Sequence, residues 1–154
     1  MNEVRMHHVR FSGIMRNVSL VNAVLVDINL RGANLEGADL LMTNLIGSDL
    51  TGANLTGANL TGANLFEVNL TGAILTDAKL SRSTELDGAV LTGAILPDVS
   101  DDDSAEEMKK WIRGSIIDGV KIRSKRDAKA FVQDLKNRQA ELSKPDSVGD
   151  DDRL

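Results

Sequence analysis

Leucine recurs at every fifth position along the middle of the chain, from Leu20 to Leu80. The series resumes one residue late at Leu86 and continues to Leu96. A small or β-branched residue stands two positions before most of these leucines, and the residue between the two is often Asn or Asp. Glycine often stands two positions after the Leu. The pattern therefore has a period of five, which is clearest in "TGANLTGANLTGANL" from Thr51 to Leu65.

A period of five fits neither regular element. On an α-helix, five residues advance the chain by about 500°, so the leucines would spread around every side. On a continuous strand, an odd step would send alternate leucines to opposite faces. The chain must therefore turn once in each unit. We predict that Ala-x-Leu forms a three-residue strand and that the next two residues form a corner, where Gly accommodates a positive φ.

Four such corners close a square, and successive squares stack at about 4.8 Å, the spacing of β-strands. The Ala and Leu side chains then point into the tube, and the polar residues point out. Leucines twenty residues apart should form columns, such as Leu30 with Leu50 and Leu70, and Leu25 with Leu45 and Leu65. Parallel crossovers are almost always right-handed. We predict an all-β solenoid, a right-handed quadrilateral parallel β-helix of nearly five coils over residues 4–100.

The stretch "ANLTGANLTGANL" resembles the pentapeptide-repeat family, whose pattern is A(D/N)LxG-like. The resemblance covers about two-thirds of the chain and departs from the pattern at "IMRN", at "STELDG" and in residues 101–154. It implies the right-handed quadrilateral β-helix. Many members of the family have no assigned biochemical function, and the family is abundant in cyanobacteria, so the resemblance implies a cyanobacterial origin. Some members resemble duplex DNA and bind DNA gyrase.

The pattern becomes helical after residue 100. Ser104 with Glu107, and Ser124 with Asp127, stand in capping-box arrangements that mark the starts of two C-terminal α-helices. The stretch "SIIDGVKI" between them is ambiguous, and its Asp-Gly pair is compatible with a tight turn. The large apolar residues expected to plug the tube are Trp111, Ile112 and Phe131. The predicted units are the β-helix at 4–100, a helical cap at 101–142 and a disordered acidic tail at 143–154.

The composition limits the possible chemistry. The chain has no Cys, so disulfides and thiolate metal sites are excluded. The aromatic fraction is 3%, so the core must be built from Leu and Ala. The net charge of −5 argues against nonspecific nucleic-acid binding. No apolar stretch has the length of a signal-peptide core or of a membrane span, so we expect a cytoplasmic protein without a membrane partner.

Few residues are candidates for chemistry. His7 and His8 are the only histidines, and a corner position in the first coil favours solvated side chains over a metal site. The acidic runs at 101–103 and 150–152 lack the spacing of a calcium loop. The basic run from Lys121 to Lys129 lies in a segment of balanced charge and fits a solvated helix face. Corner threonines would stack, but too sparsely for a water-binding array. We therefore predict no catalytic, cofactor-binding or metal-binding residues.

These observations favour a non-catalytic structural scaffold or protein–protein interaction module, because stacked repeats offer flat, rigid surfaces. The alternative, a DNA-mimicking binder of DNA gyrase, fits less well, since residues 14–100 hold nine acidic and four basic residues and the best repeats present neutral Asn. At the N-terminal end, the bulky residues either plug the tube or form a patch for a weak homodimer. These residues are Met6, Phe11, Ile14 and Met15.

Overall fold

The computed structural model of the 154-residue chain describes residues 5–10, 13–98, 102–117, 120–122 and 125–142. Residues 13–98 form a stack of coils that pair in parallel. Residues twenty apart lie side by side in adjacent coils, as in the column Asn34, Asn54 and Ile74. The same pairing occurs on four sides of each coil. The period of five therefore builds a β-helix solenoid, as the sequence predicts.

Each side is short, and the residue at its centre carries hydrogen bonds between coils. The N–H of Asn54, for example, donates to the backbone oxygen of Ala33 in the preceding coil at 2.9 Å. Longer strands occur where the N-terminal segment meets the second coil. Strand β1, Arg5–His7, pairs in parallel with strand β2, Val24–Val26.

Two-residue corners join the sides and place one residue at positive φ. At the corner after Leu50, the N–H of Ala53 donates to Leu50 O at 3.0 Å, and Gly52 has a φ of 66°. Gly fits this position because it has no Cβ to clash with the neighbouring carbonyl. Met42 and Glu67 take the same conformation at their own corners. The coil therefore imposes the corner geometry even where the residue is not Gly.

The inside of the tube is filled by the Leu and the small residues of the repeat. Leu55 and Ala53 have no exposed surface. Burying one Leu side chain stabilises the fold by about 1.5–3 kcal/mol, and the coils repeat this gain at each side. The leucines with at most 2% exposure in this core are Leu25, Leu30, Leu35, Leu40, Leu45, Leu50, Leu55, Leu60, Leu65, Leu70, Leu75, Leu86 and Leu91.

Hydroxyl residues replace Ala at a few inward positions, and each bonds to an earlier coil. Thr43 Oγ1 donates to Leu20 O at 2.7 Å, and Thr84 Oγ1 donates to Leu60 O at 2.8 Å. Ser48 is also buried, and its hydroxyl bonds to two backbone groups of the coil before it. These bonds satisfy polar groups that water does not reach, so the core tolerates hydroxyls.

The pairing register changes once near each end of the stack. At Lys79 the partner lies twenty residues back, and at Glu85 it lies twenty-one back, which places the extra residue in "SRSTELDG" as expected. At the N-terminal end, Arg10 pairs nineteen residues on, whereas Ile14 pairs twenty residues on. The missing residue therefore precedes Ile14 and does not lie in "IMRN".

This N-terminal shift corrects the expectation for Ile14. The side chain takes an outward central position and is 81% exposed, so it does not plug the tube. The physical reason is that one missing residue exchanges inward and outward positions for the residues that follow. Met6 and Met15 are half-buried against the core. Phe11 lies outside the described residues.

The segment after the coils begins with helix α1, Asp102–Trp111, and ends with helix α2, Lys125–Leu142. Between them, strand β3, Ile116–Ile117, and strand β4, Val120–Lys121, form an antiparallel pair, so this segment is not helical throughout. The sequence predicts that Ser104 caps the start of helix α1. The helix begins two residues earlier, so Ser104 lies within its first turn and this prediction is wrong. Acidic residues are favoured in a first helical turn, and the acidic run before Ser104 extends the helix there.

Strand β3 joins the C-terminal segment to the last coil. Ile116 pairs in parallel with Val90, and its N–H donates to Ala89 O at 2.7 Å. Nearby, Gly114 O accepts the N–H of Gly88 at 3.0 Å. Trp111 and Ile112 are buried in the same core as the coils, and Phe131 packs against it partly buried. The need for this segment as a cap stays a prediction.

Candidate interaction surface

The outward central residues define four sides, which we number in chain order. The first side carries Ile14, Asn34, Asn54, Ile74 and Ile95; the second carries Ser19, Asp39, Asn59 and Lys79; the third carries Val24, Asn44, Asn64 and Glu85; and the fourth carries Asn29, Asp49, Asn69 and Val90. Stacked neighbours are about 4.8 Å apart. Asn or Asp occupies the middle coils of every side, so these central residues alone do not distinguish one side from another.

The outward Asn side chains hold the corners in place. Asn54 Oδ1 accepts the N–H of Thr56 at 3.0 Å and its hydroxyl at 2.6 Å. Asn69 Oδ1 accepts the same two groups of Thr71 at 3.1 and 2.7 Å. Bonds of this kind are Asx turns, which favour a tight reversal of the chain. The oxygens of these side chains are thus used within their own coil.

Asp49 is a carboxylate with several partners on the surface of the coils. Its Oδ1 accepts the hydroxyl of Thr51 at 2.5 Å and the Thr51 N–H at 3.0 Å, and Arg31 Nη1 donates to its Oδ2 at 3.1 Å. Partial burial alone raises the pKa of this carboxyl. The hydrogen bonds from Thr51 and the adjacent Arg31 guanidinium outweigh burial, so the pKa of Asp49 lies below its ordinary value.

The corners beside the third side differ from the others. At these two corners the first corner residue is apolar in five coil positions and polar in the three that follow along the tube. The apolar residues are Val21, Val26, Leu41, Ile46 and Phe66, and the polar ones are Thr61, Ser81 and Asp87. At the other two corners the same position holds Arg, Glu, Thr or Pro. The third side is therefore bordered by apolar side chains on both edges, and this asymmetry singles it out as the candidate site.

The first of these borders lies at the corner between the third and fourth sides. It consists of Val26, Ile46 and Phe66, which we call the apolar ridge. The corners stack directly, since the Asp27 N–H donates to Ile46 O at 2.9 Å and the Gly47 N–H donates to Phe66 O at 3.0 Å. Phe66 is 39% exposed, and the other two side chains are half-buried. The ridge spans three coils, or about 10 Å along the tube axis.

The second border lies at the corner between the second and third sides. It consists of Val21, Leu41 and Met42, which we call the apolar edge. Met42 is 63% exposed although it occupies the second corner position, which is Gly in most repeat units. Its φ of 55° is unfavourable for a side chain with a Cβ. The chain therefore retains a large apolar side chain at a place where local geometry favours Gly.

The third side forms a floor between the apolar ridge and the apolar edge. Asn44 Oδ1 accepts the N–H of Ile46 at 3.1 Å, and Asn64 Oδ1 accepts the N–H of Phe66 at 3.0 Å. These bonds tie the floor to the ridge. The floor is about 10 Å wide, because a side is three extended residues long. We call this strip of surface, the third side with its apolar borders, the trough.

Charged residues beside the trough are acidic along its three coils. Only Asp27 and Glu67 are charged within residues 21–27, 41–47 and 61–67. Both side chains are exposed at the corner next to the apolar ridge. Asp27 Oδ1 lies against the position that a Cβ would take on Gly47, and Glu67 Cγ lies 2.9 Å from the equivalent position on Gly88. Each acidic side chain thus lies over the next coil, and the corner glycines leave room for it.

The other exposed large apolar residues in the described part of the chain do not form a comparable patch. Ile95 stacks beside the half-buried Ile74 at one end of the first side, Ile14 stands at the other end, and Val9 belongs to the first coil, so none of them belongs to a stack of three. Leu142 ends helix α2. Single exposed apolar residues are ordinary on protein surfaces, whereas grouped ones mark interaction sites.

The histidines and the acidic runs form no site among the described residues. His8 is exposed at a corner with a φ of 54°, and His7 belongs to strand β1. Asp102 begins helix α1, whereas the run at 150–152 lies outside the described residues. Across the described ranges, no group of three or more His, Asp or Glu residues could hold a metal ion.

The basic run and the corner threonines are spread over the surface. Arg126 and Lys129 are exposed on helix α2, and Lys121 belongs to strand β4. Thr51 and Thr71 stack at one corner, where the Gly52 N–H donates to Thr71 O at 2.9 Å, with one Thr per coil. In the part of the chain that the structure describes, no helix combines the length and apolar character needed to cross a membrane.

Two shallow clefts lie where the C-terminal segment meets the last coil. One has a volume of about 140 Å³ and is lined by Leu96, Phe131 and Leu135, among others. The other has a volume of about 220 Å³ and includes Pro97 and Trp111. Both are smaller than typical ligand pockets, which run from about 300 to 1,000 Å³.

The comparisons with known proteins agree with this architecture. Residues 14–52 and 43–82 match the family model for pentapeptide repeats, which comprises eight copies of the repeat. A pentapeptide repeat protein from the thylakoid lumen of Arabidopsis thaliana is 29% identical with a TM-score of 0.59, and the match covers 82% of this chain and 88% of that one. Residues 14–82 of the chain are thus pentapeptide repeats. A comparison with curated proteins gives no match.

Two further solved structures are more distant in shape. HetL, a pentapeptide repeat protein involved in heterocyst differentiation regulation in Nostoc sp. strain PCC 7120, is 30% identical with a TM-score of 0.43, covering 72% of this chain and 42% of that one. QnrB1, a plasmid-mediated fluoroquinolone resistance protein, is 14% identical with a TM-score of 0.40, covering 88% of this chain and 72% of that one. Neither likeness carries a functional argument.

Proposed function

We propose that this chain is a non-catalytic scaffold that binds a protein partner through the trough on its third side. The observation that carries the proposal is the restriction of apolar first-corner residues, from Val21 to Phe66, to the two borders of one side. Exposed apolar surface is unfavourable in water unless it is covered by a partner. The filled interior supports a scaffold, because leucines such as Leu55 occupy the space that a ligand would need.

Affinity capture with matched variants tests this proposal. Full-length wild type, Phe66→Asp and Thr76→Asp are compared as baits in extracts of the source cell. Phe66 and Thr76 are both the first residue of their corners, these two corners are diagonally opposite, and both side chains are exposed. The two variants therefore introduce the same charge at equivalent positions of the coil. We expect one partner protein to be captured by wild type and Thr76→Asp and lost with Phe66→Asp. Equal capture by all three baits would contradict a site on the third side.

A gyrase assay tests the alternative function. The neutral Asn residues in the middle coils give the sides little of the dense negative charge of duplex DNA, which is about one charge per 1.7 Å. We expect no inhibition of supercoiling by DNA gyrase and no salt-dependent DNA binding. Inhibition at low micromolar protein would favour the DNA-mimicking role instead.

We further propose a weak homodimer through the first coil. Ile14 is 81% exposed there. Its N–H and C=O are not the groups that bond to the second coil, since the N–H of Asn34 pairs with Gly13 O and the N–H of Met15 pairs with Asn34 O. A second copy could use both the apolar side chain and the strand edge.

We also propose a cytoplasmic location, which cell fractionation tests.

A further inference from the structure

The trough has a shape and a charge that suit one kind of occupant. We propose that it binds a cationic amphipathic α-helix of a partner protein, with the helix lying along the tube axis. This inference rests on the proposed function and adds the chemistry of the partner. It is carried by three features of the third side: the spacing of the apolar ridge, the width of the floor, and the acidic residues beside both.

The spacing of the ridge matches a helix. The side chains of Val26, Ile46 and Phe66 repeat every coil, or about 4.8 Å along the axis. An α-helix advances 5.4 Å per turn and presents one apolar residue per turn on a given face. Over the three coils of the ridge, the two repeats differ by only about 1 Å in total. Three turns of an apolar stripe can therefore contact all three ridge side chains.

The width of the trough favours a single helix. The floor between Leu41 and Ile46 corresponds to one side of the coil, about 10 Å, and an α-helix with its side chains is about 10–12 Å across. An extended strand would fill less of this width. The apolar edge and the apolar ridge would then contact the two flanks of the helix, with Asn44 beneath it.

The acidic residues select the charge of the partner. Asp27 and Glu67 stand beside the ridge, and Glu85 and Asp87 continue the acidic border in the next coil. In that coil, Arg82 is exposed at the corner between the second and third sides, on the edge of the trough away from the ridge. Lys or Arg beside the apolar stripe of a partner helix would meet a carboxylate at each end of the ridge, Asp27 at one and Glu67 at the other, which favours association. A second copy of this chain would instead bring like charges together, and an anionic lipid surface or nucleic acid would be repelled.

The inference is tested with a displayed library of synthetic helices. Each helix carries one fixed Leu stripe, and its flanking positions are randomised between Lys and Glu. The library is selected in parallel on the full chain as wild type, Phe66→Asp and Thr76→Asp. We expect Lys-flanked helices to be enriched on wild type and Thr76→Asp. Their affinity for Phe66→Asp should fall at least about tenfold, as for the loss of a central aromatic contact.

A charge-reversed variant provides the second arm. Glu67→Lys with Glu85→Lys replaces two exposed carboxylates and leaves the apolar ridge intact. We expect the preference of the selected helices to move from Lys to Glu, and binding of the Lys-flanked helices to wild type to weaken as salt is raised. Enrichment that depends on Phe66 without a preference for Lys would overturn the charge assignment and leave the proposed function standing. Absence of any enrichment that depends on Phe66 would overturn the helix proposal, while capture of a partner from cells decides the proposed function separately.

Discussion

Replacing Ser48 by Ala provides a demanding test of the coil interior. Ser48 occupies the inward position that is Ala in most units, so the repeat pattern alone predicts that Ser48→Ala improves the fold. The structure predicts the opposite. The Ser48 hydroxyl accepts the N–H of Ile28 at 3.1 Å and donates to Leu25 O at 2.8 Å, and thus bridges one corner of the preceding coil. At a neighbouring corner, the Ala33 N–H donates directly to Leu30 O at 3.0 Å.

The size of the effect follows from these contacts. Ile28 is 1% exposed, so water does not reach its N–H once the hydroxyl is removed. Leaving a buried donor without an acceptor costs about 1–3 kcal/mol. We therefore expect Ser48→Ala to lower the free energy of unfolding by about that amount in urea denaturation followed by circular dichroism.

The reciprocal change is the control for this prediction. Ala53→Ser adds a hydroxyl at the inward position that faces the Leu30–Ala33 corner of the preceding coil, and that corner already closes with a direct hydrogen bond of 3.0 Å. It should not stabilise the protein. If Ser48→Ala leaves the free energy of unfolding unchanged or raises it, the hydroxyl is not needed at that corner and the reasoning fails.

Four further outcomes are expected. Truncation after Ser100 should give an aggregating or oligomeric protein, because the last coil loses the segment that pairs with it; a soluble monomer of equal stability would refute the cap. Gly114→Ala should destabilise the protein more than Gly52→Ala in thermal unfolding. Both glycines have positive φ, but a Cβ on Gly114 would lie 2.8 Å from the Cα of Asp87, whereas a Cβ on Gly52 would have no atom within 4 Å. Equal losses of stability would contradict this close approach. The pKa of Asp49 is lowered in the folded state, so its ionised form stabilises the fold above about pH 4, and this contribution is lost as pH falls through the lowered pKa. The Asp49→Asn variant should therefore lose less stability on acidification than wild type. Parallel curves of unfolding free energy against pH for the two proteins would contradict the assignment. Sedimentation of wild type should show concentration-dependent dimers that Ile14→Glu removes, and a wild type that stays monomeric at high concentration would exclude the dimer.

The period of five was sufficient to predict the β-helix, because only a chain that turns once per unit keeps Leu30, Leu50 and Leu70 on the inside. It also located the extra residue after Lys79, since an insertion shifts every later Leu by one position. The first coil was harder to predict. Its inward residues are not Leu, so the missing residue could be assigned to either side of Ile14, and the assignment to "IMRN" was wrong.

The trough was not predicted, although its signal is present in the sequence. When the sequence is aligned at a period of five, Val26, Ile46 and Phe66 are scattered exceptions among Thr, Arg and Glu. When it is aligned at a period of twenty, the length of one coil, the three residues occupy the same position. The relevant period is that of the whole coil, because residues meet across coils and not across units. The bridge made by Ser48 could not be predicted from the sequence. It depends on the corner between Leu25 and Ile28, where the Ile28 N–H bonds to the Ser48 hydroxyl.

The trough is tested most directly by site-specific photo-crosslinking in the source cell. A photoreactive phenylalanine analogue is placed at Phe66 in one variant of the full chain and at Thr76 in another, so that the two probes report on diagonally opposite corners. The account predicts a discrete covalent adduct with a partner protein from position 66 and none from position 76. Adducts of equal yield from both positions, or an adduct from position 76 alone, would contradict the assignment of the third side as the binding surface.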